Sequence, residues 1–261
     1  MAEKKQRYYV LIFLLFVYLV LIFIFFLYPS YKDKHNKTSI IVDKDAKWYY
    51  EDSKWKDMTS TNQYNWQKFD IYQDGSYFGN YSLLYNDKWY AFGDNRTPIT
   101  MDGTEIFAIK TNQKYKYGSF ILEDISEADE KYVRKVLEDN DITALTFTTL
   151  KEVNFDLDSD GEDEKIFVVS NIFTDETVRD IFNFIFTVKN GKITIIKKDI
   201  NTYDNMYRMC KAYLSHLVDI TGDGNYEIIT GCGYYSDKKQ CIEMYQKKRN
   251  KYVKVKSCEE N

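Results

Sequence analysis

Residues 8–28, YYVLIFLLFVYLVLIFIFFLY, run 21 positions without a charge. At 1.5 Å rise per residue a helix of that length covers about 31 Å, the thickness of a bilayer core. Tyr8, Tyr9 and Tyr28 stand at its ends, where aromatic side chains favour the membrane interface. A secretory signal has an apolar region of about 7 to 15 residues and small residues before the cut, and Tyr28-Pro29-Ser30-Tyr31 offers no such site. The pattern predicts an uncleaved single-pass transmembrane helix. Residues 1–7 form a cytoplasmic tail, and the polar, aperiodic residues 29–45 form a tether.

Beyond the anchor the period changes from helical to alternating, and the body is predicted to be mainly β. Over 46–123 short apolar runs are separated by turn signals. Asp74-Gly75 divides Phe69–Tyr72 from Tyr77-Phe78, Asn86-Asp87 divides Leu83–Tyr85 from Trp89–Phe92, and Asp102-Gly103 precedes Glu105–Ile109. Such punctuation predicts a β-meander module. Ser126 and Asp129 are spaced as a capping box, with Ala128, Tyr132, Val133, Val136 and Leu137 on one stripe, so 124–141 holds one amphipathic helix connecting two modules.

From 142 to 261 one plan is read twice: an acidic loop, a strand, then a hairpin. In the first copy the strand is Ile166–Ser170, and Phe182, Phe184, Phe186 and Val188 alternate into Asn190-Gly191 and return through Ile193 and Ile195. Centring the turn on Asn190-Gly191 sets Val188 against Ile193 and Phe186 against Ile195. The second copy has Ile228–Thr230, Ile242–Tyr245 and Tyr252–Val255.

The loops are Asp156-Leu157-Asp158-Ser159-Asp160-Gly161-Glu162-Asp163-Glu164 and Asp219-Ile220-Thr221-Gly222-Asp223-Gly224-Asn225-Tyr226-Glu227. Calcium takes six to eight oxygen ligands, so a loop that holds it must aim several carboxylates inward and turn sharply. Asp156, Asp158 and Asp160 occupy positions one, three and five. Gly161 allows the turn, Glu162 offers its carbonyl at position seven, and Glu164 closes the cage. The second loop supplies Asp219, Asp223 and Glu227, the Asn225 carbonyl, and only a neutral oxygen from Thr221, which makes it chemically weaker. Six carboxylates within nine residues of the first loop repel one another unless a cation is present.

An EF-hand requires a carboxylate at position twelve between helices, and these positions are Phe167 and Thr230 in β-type surroundings. A nine-residue loop running into a strand instead resembles the FG-GAP or VCBS-type repeat, the calcium loop of integrin-like β-propellers. The resemblance covers about 150–258 and implies calcium binding in two propeller-blade-like repeats. A closed propeller needs at least about four blades, and only two such loops are present.

The four cysteines, Cys210, Cys232, Cys241 and Cys258, fall in the last 52 residues. A hairpin turn at Ser236-Asp237 sets Cys232 opposite Cys241 and leaves Cys210 with Cys258; four reduced thiols are the alternative, and no C-x-x-C clamp for zinc exists. Lys4, Lys5 and Arg7 before the anchor are balanced by Lys32, Lys34 and Lys37 after it. The cysteines and calcium loops therefore decide the orientation, with the body outside the cytoplasm.

The net charge of −4 excludes a nucleic-acid-binding class. No nucleophile-elbow, phosphate-loop or H-E-x-x-H motif is found, and His216, the one histidine of the body, reads as a packed residue. Trp48, Trp55, Trp66 and Trp89 lie together in 46–123 and read as a small β core, with an aromatic platform for glycan or protein as the alternative. Lys247, Lys248, Arg249, Lys251, Lys254 and Lys256 read as a protected edge. The function expected is a membrane-anchored, extracytoplasmic calcium-binding module for adhesion, scaffolding or ligand sensing at a bacterial cell surface. The alternative is a calcium-stabilised envelope enzyme acting on glycan or peptidoglycan.

Overall fold

The computed structural model describes residues 15–18, 38–43, 48–51, 54–57, 66–73, 76–86, 88–93, 98–100, 106–111, 115–142, 146–172, 180–202, 209–234 and 240–257. The expected anchor at 8–28 lies outside the described residues except for 15–18, which are helical and exposed. Among the described residues no helix is long and apolar enough to cross a membrane.

The body is mainly β, in three antiparallel sheets. The first eight strands are β1 (Thr38–Asp43), β2 (Trp48–Glu51), β3 (Lys54–Asp57), β4 (Lys68–Gln73), β5 (Ser76–Asn86), β6 (Lys88–Phe92), β7 (Pro98–Thr100) and β8 (Ile106–Lys110). They form one sheet in the order β3-β2-β1-β8-β4-β5-β6-β7. The pairs Gln73↔Ser76 and Asn86↔Lys88 fall where the sequence placed turns.

Two expectations change here. Thr38–Asp43, read as part of the tether, form β1, because the β-branched run at Ile40-Ile41-Val42 supplies a strand whose Ile40 is fully buried. The expected meander is also two meanders joined by β8, which pairs with β1 on one side and β4 on the other.

Short β9 (Lys116–Gly118) and β10 (Glu123–Asp124) lead into helix α1 (Glu127–Glu138). Ser126 caps α1, its hydroxyl accepting from the Asp129 amide at 3.1 Å. Of the expected stripe, Val133, Val136 and Leu137 are buried and Tyr132 is half-buried, whereas Ala128, in the first turn, is exposed. The remaining strands are β11 (Thr149–Phe155), β12 (Glu164–Ser170), β13 (Asp180–Lys189), β14 (Lys192–Thr202), β15 (Cys210–Asp219), β16 (Glu227–Tyr234), β17 (Gln240–Lys248) and β18 (Lys251–Ser257). They make two four-stranded meanders, β11–β14 and β15–β18. Edge strand β10 joins the first and β9 the second, so the border expected after residue 123 does not separate the sheets. The hairpin register is the expected one, with Phe186↔Ile195 and Val188↔Ile193 around Asn190 and Gly191, both at positive φ.

The two units stack face to face, and alternation explains why. Leu217, Ile228 and Tyr245 point into a core shared with Val153, Ile166, Val168 and Ile185 of the first unit. Their neighbours Val218, Ile229 and Met244 point the other way, against Ile40, Trp48, Phe107 and Ile109 of the eight-stranded sheet. Strands β15, β16 and β17 are thus buried on both faces, and strands buried twice read as continuous apolar runs. The first unit is covered in the same way: Phe167, Val169 and Phe182 on its far face pack on α1. Each fully buried side chain of this size contributes roughly 1.5–3 kcal/mol. The order of layers is eight-stranded sheet, second unit, first unit, helix.

Cys232 is disulfide-bonded and faces Cys241 in register; Cys258 lies outside the described residues. Trp48 is fully buried and Trp55 packs beside it, as a β core requires. Trp66 is 61% exposed and leans on Phe92. His216 is buried against Phe107, and its Nδ1 lies 2.6 Å from the Tyr117 hydroxyl. Strand β18 is the edge of its sheet and carries Lys251, Lys254 and Lys256.

Candidate metal centre

Each acidic loop joins the first two strands of a unit, and the ninth loop position opens the second strand: Phe155 pairs with Glu164 and Val218 with Glu227. The loops share one backbone plan. The first carboxylate turns back onto the loop's own amides. Asp156 accepts from the Asp160 and Gly161 amides at 3.1 and 3.0 Å. Asp219 accepts from those of Gly222, Asp223 and Gly224 at 2.7, 3.2 and 3.0 Å. At position five, Asp160 accepts from the Glu162 amide at 2.9 Å and Asp223 from that of Asn225 at 2.8 Å. At position nine, Glu164 Oε2 accepts from the Leu157 amide at 2.7 Å and Glu227 Oε2 from that of Ile220 at 2.8 Å. The glycines at position six, Gly161 and Gly224, have φ of 90° and 87°, a conformation that favours glycine.

The loops also touch. Ser159 Oγ donates to the Gly224 carbonyl at 2.8 Å, the Tyr226 amide donates to the Leu157 carbonyl at 2.8 Å, and Phe155 meets Tyr226 edge to face. The two loops therefore lie at one end of the stacked units, a relation that spacing alone does not reveal.

In the first loop Asp156, Asp158 and Glu164 each offer an oxygen within 4.8 Å of the others. Hard carboxylate oxygens at that separation fit a calcium ion. Asp160 turns to Lys189, and the Glu162 carboxylate accepts from Asn190 Nδ2 at 3.4 Å. Sequence reasoning missed the cations that face this loop. Lys189 Nζ lies 2.7 Å from Asp158, 2.7 Å from Asp160 and 2.8 Å from Glu164, and Lys247 Nζ lies 3.0 Å from Asp158. Burial alone would raise the Asp158 carboxyl, but hydrogen bonds and charge from the two lysines outweigh it and hold it down at about 2. Burial likewise disfavours the charged Lys189, yet the three carboxylates hold its ammonium well above the usual lysine range. Beside these groups lies a cavity of about 190 Å³ bounded by Lys192, Asn250 and Tyr252. Burial, followed by the nearby Glu164 and Asp158 charges, pushes the Tyr252 hydroxyl well above its ordinary value.

The second loop is assembled without a lysine. Asp219 and Glu227 are 2% and 3% exposed, and among the described residues no cationic side chain pairs with Asp219, Asp223 or Glu227. Gln246 Nε2 donates to Glu227 Oε1 at 3.2 Å. Burial raises the Glu227 carboxyl to about 7 against the amide and Gln246 hydrogen bonds that lower it. Burial would also raise Asp223, but hydrogen bonds from Asn225 and Thr221 prevail and leave it lowered. The oxygens of Asp219, Asp223 and Glu227 do not converge as closely as those of the first loop.

The lysine had a readable signal. Because Lys165 pairs with Val188, the next position sets Glu164 against Lys189. Finding it requires the β12–β13 register, which is not centred on a short turn. No protein-family model, curated protein sequence or solved structure matches this chain.

Proposed function

We propose that this protein is a membrane-anchored, extracytoplasmic calcium-binding β module of the FG-GAP or VCBS type, serving adhesion, scaffolding or ligand sensing at a bacterial cell surface. The observation that carries this reading is the equivalence of the two loops. Two stretches 63 residues apart place carboxylates, amide donors and a positive-φ glycine at the same loop positions, at matching places in two meanders. Repeated acidic turns with no shared task would not need matching carboxylate-to-amide bonds at positions one, five and nine. The disulfide at Cys232 supports an oxidising compartment. Exposed Trp66, Tyr77 and Phe78 on the eight-stranded sheet and its approach supply aromatic surface for a glycan or protein ligand.

In this reading calcium is structural, clamping the turn into β12 and the turn into β16. The affinity expected is that of extracellular modules, roughly 0.1–1 mM. Binding to the native state alone raises the melting temperature in proportion to the logarithm of ligand concentration. Melting curves in EDTA and in millimolar calcium, with magnesium as control, test the reading: a rise specific to calcium is expected, and coincident curves in EDTA and calcium refute it.

A further inference from the structure

The internal repeat shows what the first unit adds. Strand pairing sets Lys165 against Val188, so Glu164 faces Lys189; it sets Ile228 against Tyr245, so Glu227 faces Gln246. Lys189 and Gln246 therefore hold the same place in their units, one cationic and one neutral. Gln246 donates to the closing glutamate of its loop, Glu227, at 3.2 Å. Lys189 instead directs its ammonium at positions three, five and nine, at 2.7, 2.7 and 2.8 Å.

An ammonium has three N–H donors, and here the three carboxylates it meets are side chains that calcium would use. Two of them, Asp158 and Glu164, belong with Asp156 to the group whose oxygens lie within 4.8 Å of one another, and calcium contacts such oxygens at about 2.3–2.6 Å, so the ammonium and a metal ion would draw on the same two carboxylates. We propose that Lys189 is a resident cation of the first loop and that calcium enters only by displacing it, which makes first-loop occupancy a contest between the metal and a side chain of the protein. This proposal rests on the calcium reading of the loops and adds their regulation. The second loop, with Gln246 in the equivalent place, takes metal without displacing a charged side chain.

The lysine has somewhere to go. Its side chain is 23% exposed and lines the neighbouring 190 Å³ cavity together with Thr187, Lys192 and Asn250. Lys247 also loses its partner when Asp158 turns to the metal. Filling the loop with calcium thus moves two lysine charges out of ion pairs and towards solvent. Without calcium Lys189 offsets the repulsion among the carboxylates, so the loop keeps its shape when metal is scarce.

Calcium titration calorimetry on the full chain, compared with Lys189→Gln, tests the contest, and Lys189 acetylation followed by mass spectrometry at rising calcium tests the displacement in the unaltered protein. The variant should bind calcium about tenfold more tightly at one site, the equivalent of about 1.4 kcal/mol, and should melt lower than wild type in EDTA. Lys189 acetylation should rise as calcium binds. Unchanged affinity in the variant overturns the proposal, as does calcium binding that leaves Lys189 acetylation unaltered. If Lys189→Gln does not fold, acetylation of the wild type decides. Absence of calcium binding in both proteins removes the calcium reading itself, and this proposal with it.

Discussion

The hydroxyl of Ser159 donates to the carbonyl of Gly224 across 2.8 Å, tying position four of the first acidic loop to position six of the second. Ser159 has a φ of 55°, so the first loop accepts a left-handed residue at the point of contact. A hydrogen bond of this kind contributes about 1 kcal/mol. Ser159→Ala keeps the strain and removes the bond; a fall in melting temperature of about 2–4 °C in EDTA is expected. Ser159→Gly removes the bond and the strain together and should lose less. Equal melting of Ser159→Ala and wild type shows that the loops are not coupled through this contact.

Glu227 sets a pH dependence opposite in sign to that of the lysine-paired acid Asp158. Burial raises its folded pKa from 4.5 to about 7, so between these values the native state binds more protons than the unfolded chain, and stability falls as pH rises through the window. The shift corresponds to an effect on the order of 3 kcal/mol between the two ends. Asp158, lowered from 3.8 to about 2, contributes stability that is lost as pH falls through that lower window. Melting in EDTA should therefore be most favourable in mildly acid solution. Glu227→Gln should flatten the slope between pH 4.5 and 7 and leave the acid limb below pH 4 in place. A persistent slope in the variant excludes Glu227 as its source.

What the sequence made legible was local. The Asn190-Gly191 turn fixes the Phe186↔Ile195 and Val188↔Ile193 pairs because two adjacent strands share a short connection. Ser126 announces α1 because a cap acts within one turn. The carboxylates of each acidic loop were legible for the same reason, lying within nine consecutive residues. The insertion of β8 between β1 and β4 was not legible, since Ile40↔Ile109 and Ile71↔Ala108 join strands far apart in sequence. The same limit hid Lys189 and Lys247, which reach the first loop from β13 and β17. A carboxylate's ligand chemistry can be read from its neighbours in the chain, but its counter-charge is set by tertiary pairing.

Gly231 faces Tyr213 in the β15–β16 register, and a Cβ built there would lie 2.0 Å from the tyrosine ring. The ring thus lies over the glycine and fills the missing side chain's place. Gly231→Ala should destabilise the protein by about 1–3 kcal/mol through overpacking. Adding Tyr213→Ala should recover part of that loss, so that a double-mutant cycle shows a favourable coupling. Additive losses in the two variants place the strain elsewhere.

Glu243 on β17 is 5% exposed in its side chain and accepts from Lys197 on β14, from Lys254 at 2.9 Å and from the Tyr245 hydroxyl at 2.7 Å. Lys197, 7% exposed, also meets Asp199 at 2.9 Å. The group ties the two four-stranded units together on their shared side. Burial would raise the glutamate, but the Lys197 charge and the hydrogen bonds outweigh it and keep its carboxyl below the usual range. Removing one partner of such a pair leaves the other charge buried, at a cost of about 3–5 kcal/mol, whereas replacing both with apolar groups is often nearly neutral. Glu243→Gln should therefore destabilise although it keeps the shape, by less than that full cost because Lys197 retains Asp199 at 2.9 Å. Lys197→Met combined with Glu243→Leu should restore most of the loss, since Lys254 is 42% exposed and can turn to solvent. Chemical denaturation of the three proteins measures the cycle. If the double variant is as unstable as Glu243→Gln, the cost lies in packing at the unit interface and not in the stranded lysine charge.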